Sequence, residues 1–435
     1  MSNTIYLETY GCSANQNNSE ILSGLIERAG FIVTGNEKIA DIAVINTCVV
    51  KGPTEQKMLS RIKELASKFN KLIVAGCIVD VEAQNVKEII KTTNKNCKLA
   101  LLSVHQITKI QDAIKSLIEG KSIEFTEKTN ETKLCLPKTN KNKIIGITQI
   151  ASGCLGNCAY CYVKFVKGNL FSFPKEKIIK NIESDLASGC KEIWLTSQDN
   201  ASYGLDHDNQ NIPELLKDIF SLKHKFFLKL GMMNPNHVLP ILDELIDCYK
   251  NDKMFKFLHI PIQSGSDNVL KSMNRKYKAK DFIKIIEKFR KKIPEICIST
   301  DIICGFPGET EKDWQETIEI IKKTRPNIIN NSKFCSMPKT EARKLKKLPS
   351  EVIKQRTTEM FKLHYKIALE KNKREIGKIY KVLIDEKSFQ GTFTARNINY
   401  RPIIIFSKEN LVGKFLEVKI EKATPTYLIG KLIKN

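Results

Sequence analysis

The sequence predicts an α/β protein in three parts. These are a doubly wound parallel sheet of flavodoxin-like type, a six-unit βα barrel or partial barrel, and a small β-barrel of OB-like type. Three observations carry this expectation. Short apolar runs alternate with helical periodicity over residues 1–120, and the same alternation resumes at 144 and continues to about 340. Between them, 121–143 is rich in Lys, Thr, Asn and Glu, contains Pro137, and reads as an interdomain connection. From about 371 the chain changes to short runs of Ile, Val, Phe and Tyr, as a compact all-β unit requires. The resulting division is 1–120, the connection 121–143, 144–370 with a helical, basic stretch at its end, and 371–435.

In the first part, strands are expected at 5–9, 41–45, 72–75 and 99–102, with helices at 19–29, 55–68, 82–90 and 106–118. Three cysteines hold equivalent places. Cys12, Cys48 and Cys77 each follow a predicted strand, in Tyr10-Gly11-Cys12, Asn46-Thr47-Cys48 and Ala75-Gly76-Cys77. In a parallel sheet the carboxyl ends of the strands face one crevice, so thiols remote in sequence can meet there. Glycine before Cys12 and Cys77 would let backbone approach a bulky ligand closely. Buried core cysteines are the alternative for any one of them.

In the second part, strands are expected at 144–150, 192–196, 226–231, 256–261, 297–303 and 328–334. Helices are expected at 175–188, 212–220, 238–249, 279–292 and 311–323. Chemistry in such a barrel belongs to the carboxyl-end face. Just past the first of these strands comes Gly153-Cys154-Leu155-Gly156-Asn157-Cys158-Ala159-Tyr160-Cys161. Three thiolates at C-x₃-C-x₂-C suit three irons of a [4Fe–4S] cubane, leaving the fourth iron open. Zinc would want a fourth ligand, and no neighbouring Cys or His supplies one. Polar residues collect at later strand ends, including Thr196-Ser197-Gln198-Asp199, Met233-Asn234-Pro235, Gln263-Ser264-Gly265 and Cys304-Gly305-Phe306-Pro307-Gly308-Glu309.

Charge points to a polyanionic partner. The chain carries 71 Lys and Arg against 48 Asp and Glu, a net +23, although a Lys-rich composition alone can produce this. The last part holds 14 Lys and Arg against 6 Asp and Glu. There Arg396, Tyr400 and Arg401 mix cations with an aromatic ring, suiting phosphate contact and stacking on an unpaired base. No apolar run is long enough to cross a bilayer. The 13 cysteines, an odd number in a large chain, fit reduced thiols and metal ligation in a cytoplasmic protein better than a disulfide framework.

The cysteine motif with an aromatic before its third cysteine resembles the radical S-adenosylmethionine (SAM) superfamily. Together with Cys12, Cys48 and Cys77, it resembles the methylthiotransferases within it. The end of the chain, with Gly391-Thr392, Arg396, Tyr400-Arg401-Pro402 and Ala423-Thr424-Pro425-Thr426-Tyr427-Leu428-Ile429-Gly430, is similar to their TRAM domain. Thr9-Tyr10-Gly11-Cys12-Ser13-Ala14-Asn15-Gln16-Asn17 looks like the branch acting on N6-threonylcarbamoyladenosine in tRNA. The isopentenyladenosine branch tends to carry Gly-Cys-Gln-Met-Asn at that place. One departure is Cys335-Ser336-Met337-Pro338-Lys339-Thr340, where the family often reads Ser-Pro-Arg-Pro-Gly-Thr.

The resemblance implies two [4Fe–4S] clusters, one on Cys154, Cys158 and Cys161 that binds and cleaves SAM, and one on Cys12, Cys48 and Cys77 that holds the sulfur to be transferred. It implies Tyr160, Thr196, Ser197, Gln198 and Gly305 as SAM contacts. The implied substrate is the modified adenosine beside the anticodon, at position 37, with the tRNA anticodon loop as partner and an electron donor such as ferredoxin or flavodoxin. Isopentenyladenosine, a ribosomal-protein aspartate, and an RNA-binding protein with a non-catalytic cluster are the alternatives. No role is read for Cys97, Cys135, Cys190, Cys248, Cys297, Cys304 or Cys335.

Overall fold

A computed structural model describes residues 3–49, 52–207, 210–389 and 391–433. Its amino-terminal sheet has strands β1 (Thr4–Thr9), β2 (Ile32–Thr34), β3 (Ile42–Thr47), β4 (Lys71–Gly76), β5 (Lys98–Leu102) and β6 (Ile123–Phe125). All are parallel, in the order β2-β1-β3-β4-β5-β6. Helices Ser13–Arg28 and Ile110–Ile118 cover one face, and Gly52–Lys68 and Val79–Thr93 cover the other. β3 is therefore buried at every residue, which its near-continuous apolar run allows. The strand order reverses between β1 and β3, so the binding crevice of a doubly wound sheet opens there. The edge strands β2 and β6 escape the sequence pattern because three residues are too few to display a period of two.

The stretch 121–143 is more than a connection. It supplies β6 and then runs as a strap between helix Ser13–Arg28 and helix Lys175–Ala187. The backbone at Pro137 and Lys138 lies against Gly24, where a Cβ would stand 2.4 Å from Pro137 C. Thr139 N–H donates to Glu20 O (2.9 Å), and Lys138 Nζ pairs with Asp185 (2.9 Å). Leu134 is buried in the core of the second part. The polar composition that suggested a linker is a set of lysines reaching across to neighbouring elements.

The second part begins at β7 (Ile145–Gln149), followed by the small antiparallel clasp of β8 (Ala151–Ser152) and β9 (Phe171–Ser172). Next come β10 (Glu192–Thr196), β11 (Phe227–Leu230), β12 (Phe257–His259), β13 (Cys297–Cys304) and β14 (Ile328–Lys333). They form two parallel triplets, β11-β10-β7 and β12-β13-β14, joined by a parallel bridge between Leu228 and Met254. Among the described residues β7 and β14 do not pair, so the barrel is partial. Its helices are held by local signals. Asn211 accepts from Glu214 N–H at the start of Ile212–Ser221, and Thr310 and Asp313 form a capping box on Glu311–Thr324.

Helix Ser350–Lys373 leads to the last part, a closed barrel of β15 (Ile379–Lys387), β16 (Thr392–Arg396), β17 (Pro402–Phe406), β18 (Phe415–Ala423) and β19 (Leu428–Leu432), in the order β15-β16-β17-β19-β18. It docks on the amino ends of the partial barrel's strands. Tyr400 packs its ring 4.9 Å from Phe255 and 5.1 Å from Phe257, and Lys256 N–H donates to Ile398 O (2.7 Å).

This seam corrects the expected RNA face. Arg396 donates to Asp385 (3.1 Å), Arg401 pairs with Glu375 (3.0 Å), and Tyr400 is 6% exposed beneath Lys229. A guanidinium that suits a phosphate suits a buried carboxylate equally well, and a ring that suits a base suits another ring. Tyr400 packs across the seam, while Arg396 and Arg401 are tied to carboxylates of the last part itself.

Candidate active site

All six motif cysteines line one cavity of ≈ 290 Å³ between the amino-terminal sheet and the partial barrel. Cys12, Cys48 and Cys77 come from the carboxyl ends of β1, β3 and β4, the strands that flank the reversal point and the next one along. Cys154, Cys158 and Cys161 come from the loop beyond β7. Backbone geometry draws each set together. Gly11 has φ +113°, and a Cβ there would lie 2.9 Å from Cys48 Cβ. Gly76 has φ +90°, and a Cβ would lie 2.4 Å from Asn46 Oδ1. Gly153 has φ +76°, with Asn169 O only 1.8 Å from any Cβ. At all three positions a side chain is excluded by conformation and by space.

Burial raises the Cys77 thiol to about 12 and the Cys161 thiol to about 11, each reinforced by the other two thiols of its set. Cys154 is raised for the same first reason, burial. Such thiols ionise readily only against a compensating positive charge, which a bound metal group provides. Among the described residues no three Cys, His, Asp or Glu side chains gather tightly enough to hold a single metal ion. Two sets of three soft thiols facing a common cavity fit [4Fe–4S] clusters, which take one thiolate per iron, better than a closed zinc site. All 13 cysteines are free of disulfides.

Several neighbours escape the sequence reading. Arg275 donates to Cys158 Sγ (3.2 Å), to Asn234 Oδ1 (2.8 Å) and to Tyr277 Oη (2.9 Å), fixing a cation beside the second cysteine set. Asp199 accepts from Asn234 N–H (3.0 Å) and from His237 Nδ1 (2.6 Å), which orders the ends of β10 and β11. Gln263 lines the cavity with φ +71°, a strained backbone held by bonds to Asp301 O and from Ile303 N–H. Asp199, Asn234 and Gln263 lie in strand-end runs visible in the sequence, whereas nothing local marks Arg275.

The expected SAM contacts divide. Ser197 and Gln198 line the cavity, and Ser197 Oγ and Gln198 Oε1 are buried without hydrogen-bond partners, as groups awaiting a polar ligand would be. Tyr160 stands between this cavity and a second one of ≈ 450 Å³, edge-on to Phe306. Thr196 is not on the wall of either cavity, and its carbonyl accepts from Ile150 N–H. Gly305 is a correction. Its close neighbour is Ile353 of helix Ser350–Lys373, whose Cγ1 would meet a Cβ at 2.5 Å, so the glycine makes room for a helix.

Comparison with known proteins places this geometry. Residues 148–321 match the Radical SAM superfamily, 4–96 match Uncharacterized protein family UPF0004, and 373–433 match the TRAM domain. A "Probable threonylcarbamoyladenosine tRNA methylthiotransferase" of Pyrococcus horikoshii is 38% identical over 432 residues, covering 99% of each chain. The chain belongs to the threonylcarbamoyladenosine tRNA methylthiotransferase family. A human protein of that name is 33% identical over 441 residues, covering 99% of this chain and 74% of the human one.

Among solved structures, the radical S-adenosylmethionine methyltransferase TsrM of Kitasatospora setae, with cobalamin and a [4Fe-4S] cluster bound, superposes with a TM-score of 0.57. It is 12% identical and covers 79% of this chain and 77% of TsrM, a likeness of fold alone. Membership of the Radical SAM superfamily implies a [4Fe–4S] cluster and SAM as cofactors of this methylthiotransferase family member. Cys154, Cys158 and Cys161 fall inside that match, and Cys12, Cys48 and Cys77 fall inside the amino-terminal one. No helix among the described residues is long and apolar enough to cross a membrane.

Proposed function

We propose that the protein converts N6-threonylcarbamoyladenosine at position 37 of tRNA to its 2-methylthio derivative. The observation that carries this reading is the meeting of two three-cysteine sets on one cavity. Cys154, Cys158 and Cys161 would hold the cluster that binds SAM, and Cys12, Cys48 and Cys77 a second cluster that presents sulfur. When bound, these groups supply one-electron chemistry able to break the non-acidic C2–H bond of adenine, which no base of ordinary pKa can do.

The chain's own residues do the rest. Ser197 and Gln198 offer polar atoms to SAM, and Tyr160 forms a wall of both cavities. Val49, Val163, Val166 and Met232 exclude water from the space between the thiols. RNA contact is assigned to the rim. Leu155 and Phe165, each at least 40% exposed, follow from the cysteine loop and the short helix after it. The exposed Arg343, Lys346 and Lys347 lie on a loop whose Ala342 N–H donates to Ala159 O (2.9 Å). Exposed aromatic and cationic groups together suit an unpaired anticodon loop. An external one-electron donor, such as ferredoxin or flavodoxin, is required.

The test compares wild type with Cys48→Ala, both reconstituted anaerobically, by mass spectrometry of tRNA nucleosides. Wild type should form 2-methylthio-N6-threonylcarbamoyladenosine, while Cys48→Ala should still cleave SAM and form none. A methylthio group found only on isopentenyladenosine, or on a ribosomal-protein aspartate, would overturn the substrate assignment. Absence of SAM cleavage in wild type would leave a non-catalytic RNA-binding protein.

A further inference from the structure

The one-electron donor that the proposed reaction needs is a protein, and the ≈ 290 Å³ cavity of the six cysteines cannot admit one. An electron bound for the group on Cys154, Cys158 and Cys161 must therefore cross the cavity wall. That wall is thin at one place. Asn157 is exposed and directly precedes Cys158, and the turn between helix Asp267–Ser272 and helix Ala279–Lys292 meets the cysteine loop there, at the surface. Ala159 N–H donates to Met273 O (3.0 Å), Asn274 Nδ2 to Asn157 O (2.7 Å) and Arg275 Nη1 to Cys158 Sγ (3.2 Å). Asn274 takes φ +55° to close the turn, a left-handed conformation that asparagine tolerates. Hydrogen bonds thus join a surface turn to a thiol of the second set.

The same turn is ringed by Lys271, Lys276, Lys278 and Lys280. All four are exposed, and among the described residues none of them pairs with a carboxylate. The carboxylates nearest in the chain, Asp267 and Asp281, each accept a backbone N–H at the head of the second helix, from Ala279 (2.8 Å) and Lys278 (2.9 Å). Positive charge therefore surrounds the point where the wall is thinnest. Among the described residues the turn exposes no large apolar side chain, so it lacks the rings that stack on unpaired bases, unlike the rim with Phe165. An acidic protein surface matches it better than RNA does. We propose that this turn, 273–278 with Lys271 and Lys280, is the docking surface for an acidic one-electron donor protein of ferredoxin or flavodoxin type. One electron leaves the donor and enters by the contacts of Asn274 and Arg275 with the cysteine loop, and no bond is made or broken. This deepens the reading given above and rests on it: the donor reaches the second cysteine set from the surface, while the cavity stays closed to it.

The test uses the full chain, reconstituted anaerobically, as wild type and as the triple variant Lys271→Glu, Lys276→Glu, Lys280→Glu, with a flavodoxin of strongly negative net charge as the probe. Binding of oxidised flavodoxin, followed by its flavin fluorescence, should weaken at least about tenfold in the variant at low salt, and the difference should shrink as salt rises. SAM cleavage driven by dithionite, which needs no docking, should be equal in the two chains. Cleavage driven by reduced flavodoxin below saturation should fall by the same factor as the affinity, and tRNA affinity should be unchanged. Equal flavodoxin affinity, including no binding to either chain, would overturn the proposal. So would a loss of tRNA affinity as large as the loss of flavodoxin affinity, which would make the turn an RNA surface. Should the variant not fold, Lys271→Gln, Lys276→Gln, Lys280→Gln carries the same comparison with a smaller loss. Failure of wild type to cleave SAM with dithionite would sink the functional reading while leaving the flavodoxin titration to judge the turn.

Discussion

Glu192 sets a pH dependence that has nothing to do with the thiols. It lies fully buried in the seam below the partial barrel, and burial, reinforced by the nearby Asp385, raises its pKa from 4.5 to about 7. Asp385 is itself raised to about 6, again chiefly by burial. An acid whose folded value exceeds its unfolded one holds its proton longer in the native state. Stability therefore falls as pH rises from the unfolded value of 4.5 to about 7, and no further beyond. Lys229, lowered by burial to about 8, contributes the opposite sign, regaining stability only above that value. Glu192→Gln keeps an acceptor for Trp194 Nε1 and removes the charge. It is expected to stabilise the protein by about 1–3 kcal/mol at neutral pH and to flatten the fall across that window, as thermal melts at a series of pH values would register. A variant that melts below wild type at neutral pH would show that the pairing of Glu192 outweighs its burial.

At the scale of elements, the cysteine loop depends on one glycine. Gly153 combines φ +76° with a backbone oxygen 1.8 Å from any added Cβ, so Gly153→Ala must push strand β8 away from β9 and displace Cys154. If each cysteine set holds one cluster, as proposed, the expected result is a chain that folds, retains the iron on Cys12, Cys48 and Cys77, and loses roughly half its iron on the cubane count. Iron assay after reconstitution measures this, and full iron content would show that the loop tolerates the shift. The loop and the six strands of the partial barrel were legible because βα alternation and C-x₃-C-x₂-C spacing are local signals. The strap at 121–143 was not, because Lys133, Leu134 and Lys138 find their partners on elements distant in sequence. Arg275 was illegible for the same reason, a single cation whose meaning comes from a thiol on another element. Arg396, Tyr400 and Arg401 were misplaced because their residue types serve a buried seam and an RNA surface equally.

For the whole molecule, the consequence is a separation of ends. The terminal barrel sits at the amino ends of the strands, while the cysteines open at the carboxyl ends. A nucleotide in the cavity cannot at the same time lie against Arg396 or Arg401, so under the proposed function the rim would hold the anticodon loop and the outer face of the terminal barrel only a more distant part of the tRNA. Phosphate contacts release counterions, and each one lost reduces the slope of log affinity against log salt by about 0.7–0.9. The combined variant Arg343→Ala, Lys346→Ala, Lys347→Ala is expected to lower that slope by about 2–3 units. Its counterpart, Lys419→Ala with Lys422→Ala on the exposed side of β18, tests the distant contact. SAM cleavage without tRNA serves as a folding control for both. A tRNA bound along the whole molecule loses slope in each variant, and the losses add when the variants are combined, because the two patches share no partners. A full slope in the rim variant would place the anticodon loop elsewhere, since no phosphate can approach that loop of the chain without releasing ions.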